Sequence, residues 1–154
     1  MTGTSTSLVR VQSAPFDTGT ELEQLNLSDG NIGAVVSFIG LCRNEAGRLK
    51  ALELEHYPDM AAQQLERLAA QAGQRWSLDR TLIVHRFGMI APGEPIVLVI
   101  TASPHRADAF AAAEFLMDYL KTDAPFWKKE HTLDEGSAWV QEKSSDTQAK
   151  RRWD

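Results

Sequence analysis

Cationic side chains in the second half of the sequence are the residues best suited to chemistry. His105 and Arg106 follow Ser103 and Pro104, two residue types that favour the cap and first turn of a helix. The positive end of a helix dipole disfavours cations by about 0.3–1 kcal/mol, so a bound anion would compensate them. Backbone N–H groups and an arginine side chain together bind phosphate or carboxylate well. The pair therefore indicates an anion site, and an exposed surface arginine is the alternative.

Lysines at the end of the same predicted helix and in the next segment form a second group. Lys121 closes the helix, where a lysine complements the negative end of the dipole and requires no function. In a strand, Lys128 shares a face with Phe126 and Glu130, and a lysine that alternates with aromatic residues indicates a pocket wall. Arg43 follows a buried strand, where binding loops and ordinary surface arginines both occur. These cations indicate a basic cleft for an anionic small molecule or a peptide carboxylate, and by themselves no reaction.

The elements that must position these cations follow from the hydrophobic pattern. Alternating or β-branched runs predict strands at 8–12, 33–40, 50–57, 81–87, 96–102, 125–133 and 137–141. Helical spacing of apolar residues predicts helices after Asp17, at 59–75 and at 103–122, the last with a buried stripe of Phe110, Ala113, Met117 and Leu120. Their order predicts an α+β protein in which helices pack on a mostly antiparallel sheet.

Length and composition bound the class of protein. The 154 residues predict a single domain, 1–154, with an ordered core at about 8–142 and polar tails that fray. With 43% hydrophobic and 24% charged residues, the collagen-like, disordered and membrane classes are excluded. A net charge of −5 argues against binding to nucleic acid or to a membrane surface. The single cysteine, Cys42, and the lack of a secretion signal predict a cytoplasmic protein.

Several enzyme classes lack their motifs in this sequence. It contains no phosphate-binding GK[ST] loop, no GxGxxG, no GxSxG elbow and no HExxH. The four histidines, His56, His85, His105 and His131, are scattered, and Cys42 has no second cysteine. No metal-ligand spacing exists, so neither a metal site nor a cofactor is predicted.

Several segments resemble one known family, the large catalytic subunit of molybdopterin synthase. The matching stretches are GAVVSFIGLCRN, LELEHYPDMA, HRFGMIAPGE, SPHRADAF, FLMDYLKTDAPFWKKE and a late tryptophan in SAWV. The resemblance extends over residues 8–142, and YLKTDAPFWKKE is its most specific motif.

The resemblance implies a fold, an activity and partners. The expected fold is α+β and includes an α/β-hammerhead-like subdomain. The expected assembly is a homodimer in which each subunit binds one ubiquitin-like small subunit, giving a heterotetramer. The small subunit inserts its thiocarboxylated Gly-Gly tail into a pocket, where sulfur is transferred, twice, to cyclic pyranopterin monophosphate. The implied activity is thus that of a sulfurtransferase in molybdenum cofactor biosynthesis, forming the dithiolene of molybdopterin.

The same resemblance assigns roles to individual residues. The implied substrate-binding residues are Leu41, Cys42, Arg43, His105, Arg106, Lys121, Lys128, Lys129 and Glu130. His105 and Arg106 would bind the phosphate end of the pterin, and some residues would serve the neighbouring subunit's site. Lys121 and Lys128 match the family's essential lysines. We expect neighbouring cations to lower the pKa of Lys121, which would transfer protons or transiently capture an acyl group while Lys128 stabilises negative charge.

Two further interpretations and one departure accompany the resemblance. The chain could dock a ubiquitin-like partner without catalysis, although both lysines are present. An unrelated phosphate-binding regulatory domain would explain the cleft but not the ordered motifs. Cys42 stands where the family more often has a nonreactive residue, and since the partner supplies the sulfur, we expect the thiol to be dispensable.

Overall fold

The computed structural model describes residues 5–44, 47–122, 126–134, 136–140 and 143–154, and these form two four-stranded sheets with helices. The strands are β1 (Thr6–Gln12), β2 (Ala34–Leu41), β3 (Leu49–His56), β4 (Arg80–Arg86), β5 (Gly88–Ile90), β6 (Pro95–Ser103), β7 (Phe126–Thr132) and β8 (Ser137–Val140). The helices are α1 (Thr18–Gln24), α2 (Pro58–Arg75), α3 (Arg106–Leu120) and α4 (Ser144–Arg151). The sheets have the orders β1-β4-β6-β2 and β5-β3-β7-β8, and every pairing except the parallel β1–β4 is antiparallel. The predicted α+β class is confirmed.

The first sheet is buried on both faces at its centre. Along β4 and β6, Ile83 and Val99 pack into the cluster formed with α2 and α3, whereas Leu82 and Leu98 pack into the cluster next to α1. This is the alternation of side chains that a strand imposes, and it explains why both strands are almost continuously apolar. Each such side chain contributes roughly 1.5–3 kcal/mol when fully buried, so this sheet is a rigid platform for α3.

The start of α3 differs from the sequence prediction. Ser103 is the last residue of β6 rather than the helix cap, and its hydroxyl accepts a hydrogen bond from the backbone N–H of His105 at 3.2 Å. His105 occupies the N-cap position without a side-chain capping bond. Gly33 lies so close to this turn that a Cβ would be 2.2 Å from the carbonyl oxygen of Pro104. A glycine is therefore required where β2 begins.

Two further expectations, one for the segment before β6 and one for α3, were wrong. Gly88–Ile90, which lies between the predicted strands 81–87 and 96–102, forms β5 and pairs with β3 in the second sheet. The chain leaves the first sheet at Gly88, whose φ of 86° favours glycine. Phe110, expected in the buried stripe of α3, is 62% exposed, because the buried stripe includes the neighbouring Ala109 and so leaves Phe110 on the outer face.

The C-terminal segment is folded rather than frayed. Within the expected polar tail, α4 forms and Trp153 packs against the core. The Trp153 ring lies 5.6 Å from that of Trp76 and 5.7 Å from that of Phe115, and its indole N–H donates to Asp118 at 2.6 Å. The polar composition of residues 143–154 gave no indication of this contact, because a single aromatic residue, Trp153, makes most of it. No helix in the described part of the chain is long and apolar enough to cross a membrane.

Candidate functional site

A cavity of about 500 Å³ lies where both sheets meet the C-terminal end of α3. Its apolar wall includes Leu41 of β2, Met117 and Leu120 of α3, and Phe126 of β7. Its polar wall includes His85, Lys121, Lys128, Lys143 and Asp146. A cavity with mostly apolar walls and a few convergent polar groups is the usual form of a small-molecule site.

A pair of lysines forms the polar centre of this cavity. Lys121 is the C-cap of α3, and its backbone N–H donates to the carbonyl of Met117 at 3.0 Å. Lys128 lies opposite Leu54 in the β3–β7 pairing, and the positive charge of Lys121 acts on its amine. The end of a helix and the start of a strand thus bring two ammonium groups together.

The two lysines differ in how deeply they are placed. Burial, and then the positive charge of Lys121, lower the pKa of Lys128 to about 8. At pH 7 Lys128 is therefore neutral in a larger fraction of molecules than an ordinary lysine. The lowered pKa expected at Lys121 stays a prediction; Lys121 is exposed to solvent, and Lys128 is the more enclosed amine.

His85 is a residue of this cavity to which the sequence analysis gave no role. It is 7% exposed, its ring stacks on Phe126 at 3.7 Å, and its Nδ1 is 2.8 Å from the carbonyl oxygen of Arg86. Burial, with a smaller contribution from the charges of Lys128 and Lys121, lowers the pKa of His85 to about 4. The ring is neutral at pH 7. Its position in the stretch HRFGMIAPGE was the available signal, and the scattered spacing of the histidines concealed it.

The structure brings three of the sequence-predicted site residues together. Leu41, Lys121 and Lys128 line the same cavity. Lys129 points to the opposite face of β7, where its amine lies 5.4 Å from the centre of the Trp139 ring. Glu130 shares a face of β7 with Lys128 but does not line the cavity.

His105 and Arg106 are not part of this cavity in a single protomer. They are exposed at the start of α3, and the 15 residues of that helix, at about 1.5 Å each, separate them from Lys121 by about 22 Å. Arg43 is also exposed and does not line the cavity. The expectation of one basic cleft containing all of these cations is therefore wrong for one chain, because a straight helix holds its two ends apart.

Cys42 is buried away from the cavity. It is 3% exposed among Leu52, Leu54 and Ile90, and burial, followed by the charges of Glu94 and Glu130, raises the pKa of its thiol. A protonated, enclosed thiol is a poor nucleophile. The predicted substrate contact through the Cys42 side chain is not supported, because the residue after Leu41 points to the other face of the chain.

Comparison with known proteins identifies the family of this chain. A family model described as "MoaE protein" matches residues 11–123. The chain belongs to the MoaE family. A MoaE-family relative from Mesorhizobium japonicum, named molybdopterin synthase catalytic subunit, is 56% identical over 147 residues, which are 94% of this chain and 92% of the relative. The predicted family is confirmed, and with it the class of activity, that of a sulfurtransferase subunit of molybdopterin synthase.

Solved structures of MoaE proteins share this fold. The molybdopterin biosynthesis MoaE protein from Burkholderia ambifaria MC40-6 is 46% identical and has a TM-score of 0.82 over 96% of this chain and 98% of that one. A complex of subunits 1 and 2 of molybdopterin-converting factor from Helicobacter pylori 26695 matches with a TM-score of 0.74 at 21% identity, over 88% of this chain and 92% of that one. The second likeness concerns the fold alone.

Proposed function

We propose that the cavity at the end of α3 is the sulfur-transfer site, in which Lys121 and Lys128 act as a pair. The observation that carries this proposal is that Lys121 and Lys128 line one cavity of about 500 Å³, in which the charge of Lys121 acts on the Lys128 amine. The sulfur donor is the thiocarboxylated Gly-Gly tail of a ubiquitin-like small subunit. The acceptor is cyclic pyranopterin monophosphate.

Electrostatics favour the entry of an anionic tail into this cavity. Two neighbouring ammonium groups repel each other, and burial adds the cost of removing Lys128 from water. A thiocarboxylate placed between them replaces that repulsion with two attractions. The Gly-Gly tail has no side chains beyond Cα, so it can pass along the apolar wall formed by Leu41 and Trp127.

Proton sharing between the lysines would activate Lys121. Proton transfer from the Lys121 ammonium to neutral Lys128 leaves Lys121 as a free amine and Lys128 as an ammonium; because burial lowers the pKa of Lys128, this transfer is uphill and only a minor fraction of molecules holds that state. Lys121 then acts as a base or nucleophile at the terminal carbonyl of the tail. Lys128, now charged, stabilises the negative charge that develops on the carbonyl oxygen.

The remaining predicted cations would act across a dimer. Since His105 and Arg106 lie about 22 Å from Lys121, we propose that they bind the phosphate end of the pterin in the neighbouring subunit's site. The outer edge of the first sheet, β2, exposes Val35, Phe38 and Ile39 by about 40% each, which favours a covering partner. We propose a heterotetramer of two such chains and two small subunits, located in the cytoplasm.

A reconstituted assay tests the lysine pair. Wild type, Lys121→Ala and Lys128→Ala would each be mixed with thiocarboxylated small subunit and cyclic pyranopterin monophosphate, and molybdopterin would be measured. We expect both variants to lose about 10²- to 10⁴-fold in turnover, the range for a lost acid–base group. Lys50→Ala, at an exposed position of β3, is the matched control and should retain full turnover.

Two outcomes would contradict the assignment. Normal turnover by a folded Lys121→Ala would show that the pair is not the catalytic centre. A wild-type chain that binds the small subunit but yields no molybdopterin would favour a docking module instead.

A further inference from the structure

The ring of His85 is fixed in one tautomer. Its Nδ1 is 2.8 Å from the carbonyl oxygen of Arg86, and because a carbonyl only accepts, Nδ1 must carry the proton. Nε2 of the neutral ring therefore holds a lone pair. No hydrogen bond to Nε2 is found within the part of the chain that the structure describes. The ring is held by stacking on Phe126 at 3.7 Å, so this acceptor has a defined direction.

His85 lies on the wall of the cavity that holds the lysine pair. The charges of Lys121 and Lys128 both act on its ring, which places the three side chains at one centre. The other titratable or charged groups at this centre are His56 on β3, Arg86 beside it on β4, and Lys143 and Asp146 at the start of α4. His85 is the histidine that lines this cavity among the described residues.

Within the described residues, Asp146 acts on Lys128 through its charge but forms no ion pair with either lysine. Among the described residues, no carboxylate lies within ion-pair distance of Lys121 or Lys128. A buried ammonium without hydrogen-bond acceptors is costly. A carboxylate acceptor would cancel the positive charge that attracts an anionic tail, whereas a neutral imidazole accepts a hydrogen bond and leaves the charge in place.

We propose that His85 is a positioning residue of this site, whose Nε2 accepts a hydrogen bond from the Lys128 ammonium when the lysine side chain turns toward it. The bond holds the ammonium toward the carbonyl carbon of the tail. The effect on turnover rests on the proposed function, whereas the contact with Lys128 does not.

Three substitutions separate this role from packing. His85→Phe keeps an aromatic ring against Phe126 but removes the acceptor. His85→Asn places an amide near the position of Nδ1, and His85→Gln places an amide oxygen near that of Nε2. Only the glutamine variant restores an acceptor that faces the cavity, so His85→Asn is its matched control.

Turnover and lysine titration are the two readouts. We expect His85→Phe and His85→Asn to lower kcat about 10- to 100-fold with little change in KM, which is the loss of one hydrogen bond to a charged group. His85→Gln should stay within about threefold of wild type. NMR titration of the Lys128 Nζ should show a lower pKa in the phenylalanine and asparagine variants than in wild type, because the acceptor stabilises the charged amine.

The titration decides the proposal even if the wild-type assay yields no product. Identical Lys128 titration curves in folded wild type, His85→Asn and His85→Gln would overturn it. Equal kcat losses in the asparagine and glutamine variants would do the same. If His85→Phe fails to fold, the comparison of those two amide variants still gives the answer.

Discussion

The two ends of α3 present cations in different ways. At its start, His105 and Arg106 are exposed to solvent. At its end, Lys121 meets Lys128 in a cavity of about 500 Å³, next to the buried ring of His85. The cations at the start of the helix therefore stand in water alone, whereas the exposed Lys121 at its end shares a cavity with the half-buried Lys128.

The difference shows that enclosure, rather than charge alone, prepares a group for chemistry. Burial disfavours a charged amine, and like charges repel more strongly where water is excluded, which is why the pKa of Lys128 falls to about 8. Exposed cations such as Arg106 are suited to attracting and holding a phosphate, since an arginine stays charged and binds with geometric specificity. One end of the helix is thus built for acid–base chemistry, and the other end for anion binding.

Mixed dimers would test whether the two ends belong to one site or to two. Lys121→Ala and Arg106→Ala should each be nearly inactive alone at low substrate concentration. If Arg106 serves the neighbouring subunit's site, a mixed dimer contains one site with both residues intact and one with neither. Random mixing should then restore about a quarter of wild-type turnover, measured as molybdopterin formed after the two variants are unfolded and refolded together. Activity no higher than that of the separate variants would show that Lys121 and Arg106 of the same subunit act together.

Lys128 should reduce the stability of the protein in exchange for function. Its pKa is lowered on folding, so between about pH 8 and pH 10.5 the unfolded chain binds more protons than the folded one. The free energy of unfolding of wild type should therefore rise with pH through this window. We expect Lys128→Met to be more stable than wild type at pH 7 by about 1–3 kcal/mol, and the gap to shrink by pH 10.

Denaturant unfolding at pH 7 and pH 10 measures this gap. Lys129→Met is the control, because Lys129 lies on the opposite face of β7 over Trp139. The same stabilisation in both variants would show that burial at Lys128 is not its cause.

Substitution of Cys42 should have the smallest effect on turnover. It tests whether a buried side chain next to the cavity takes part in the reaction. Cys42 follows the cavity residue Leu41 but packs among Leu52, Leu54 and Ile90. We expect Cys42→Ala to lower the free energy of unfolding by about 1 kcal/mol and to leave turnover within about twofold of wild type. A complete loss of turnover in a folded variant would instead assign the thiol to the reaction.

Local patterns predicted most elements because they depend on nearby residues. The apolar spacing of 59–75 predicts α2 to within one residue at its start, and the alternation in KALELEHY predicts β3. The predictions were wrong where a contact between residues far apart in the chain determines the secondary structure. Gly88–Ile90 becomes a strand only because β3 lies beside it, and α4 is anchored by Trp153 against Trp76 and Phe115.

By itself the sequence determined the family, the α+β class and the two lysines, because motifs, periodicity and residue types are local properties. Only the tertiary structure decided which cations meet. It separated Arg106 from Lys121 by the length of a helix. It buried the Cys42 side chain in the core and placed His85 in the cavity of the lysine pair. The physical reason is that burial and like-charge contact, which set the pKa values of Lys128 and His85, arise from residues far apart in the chain.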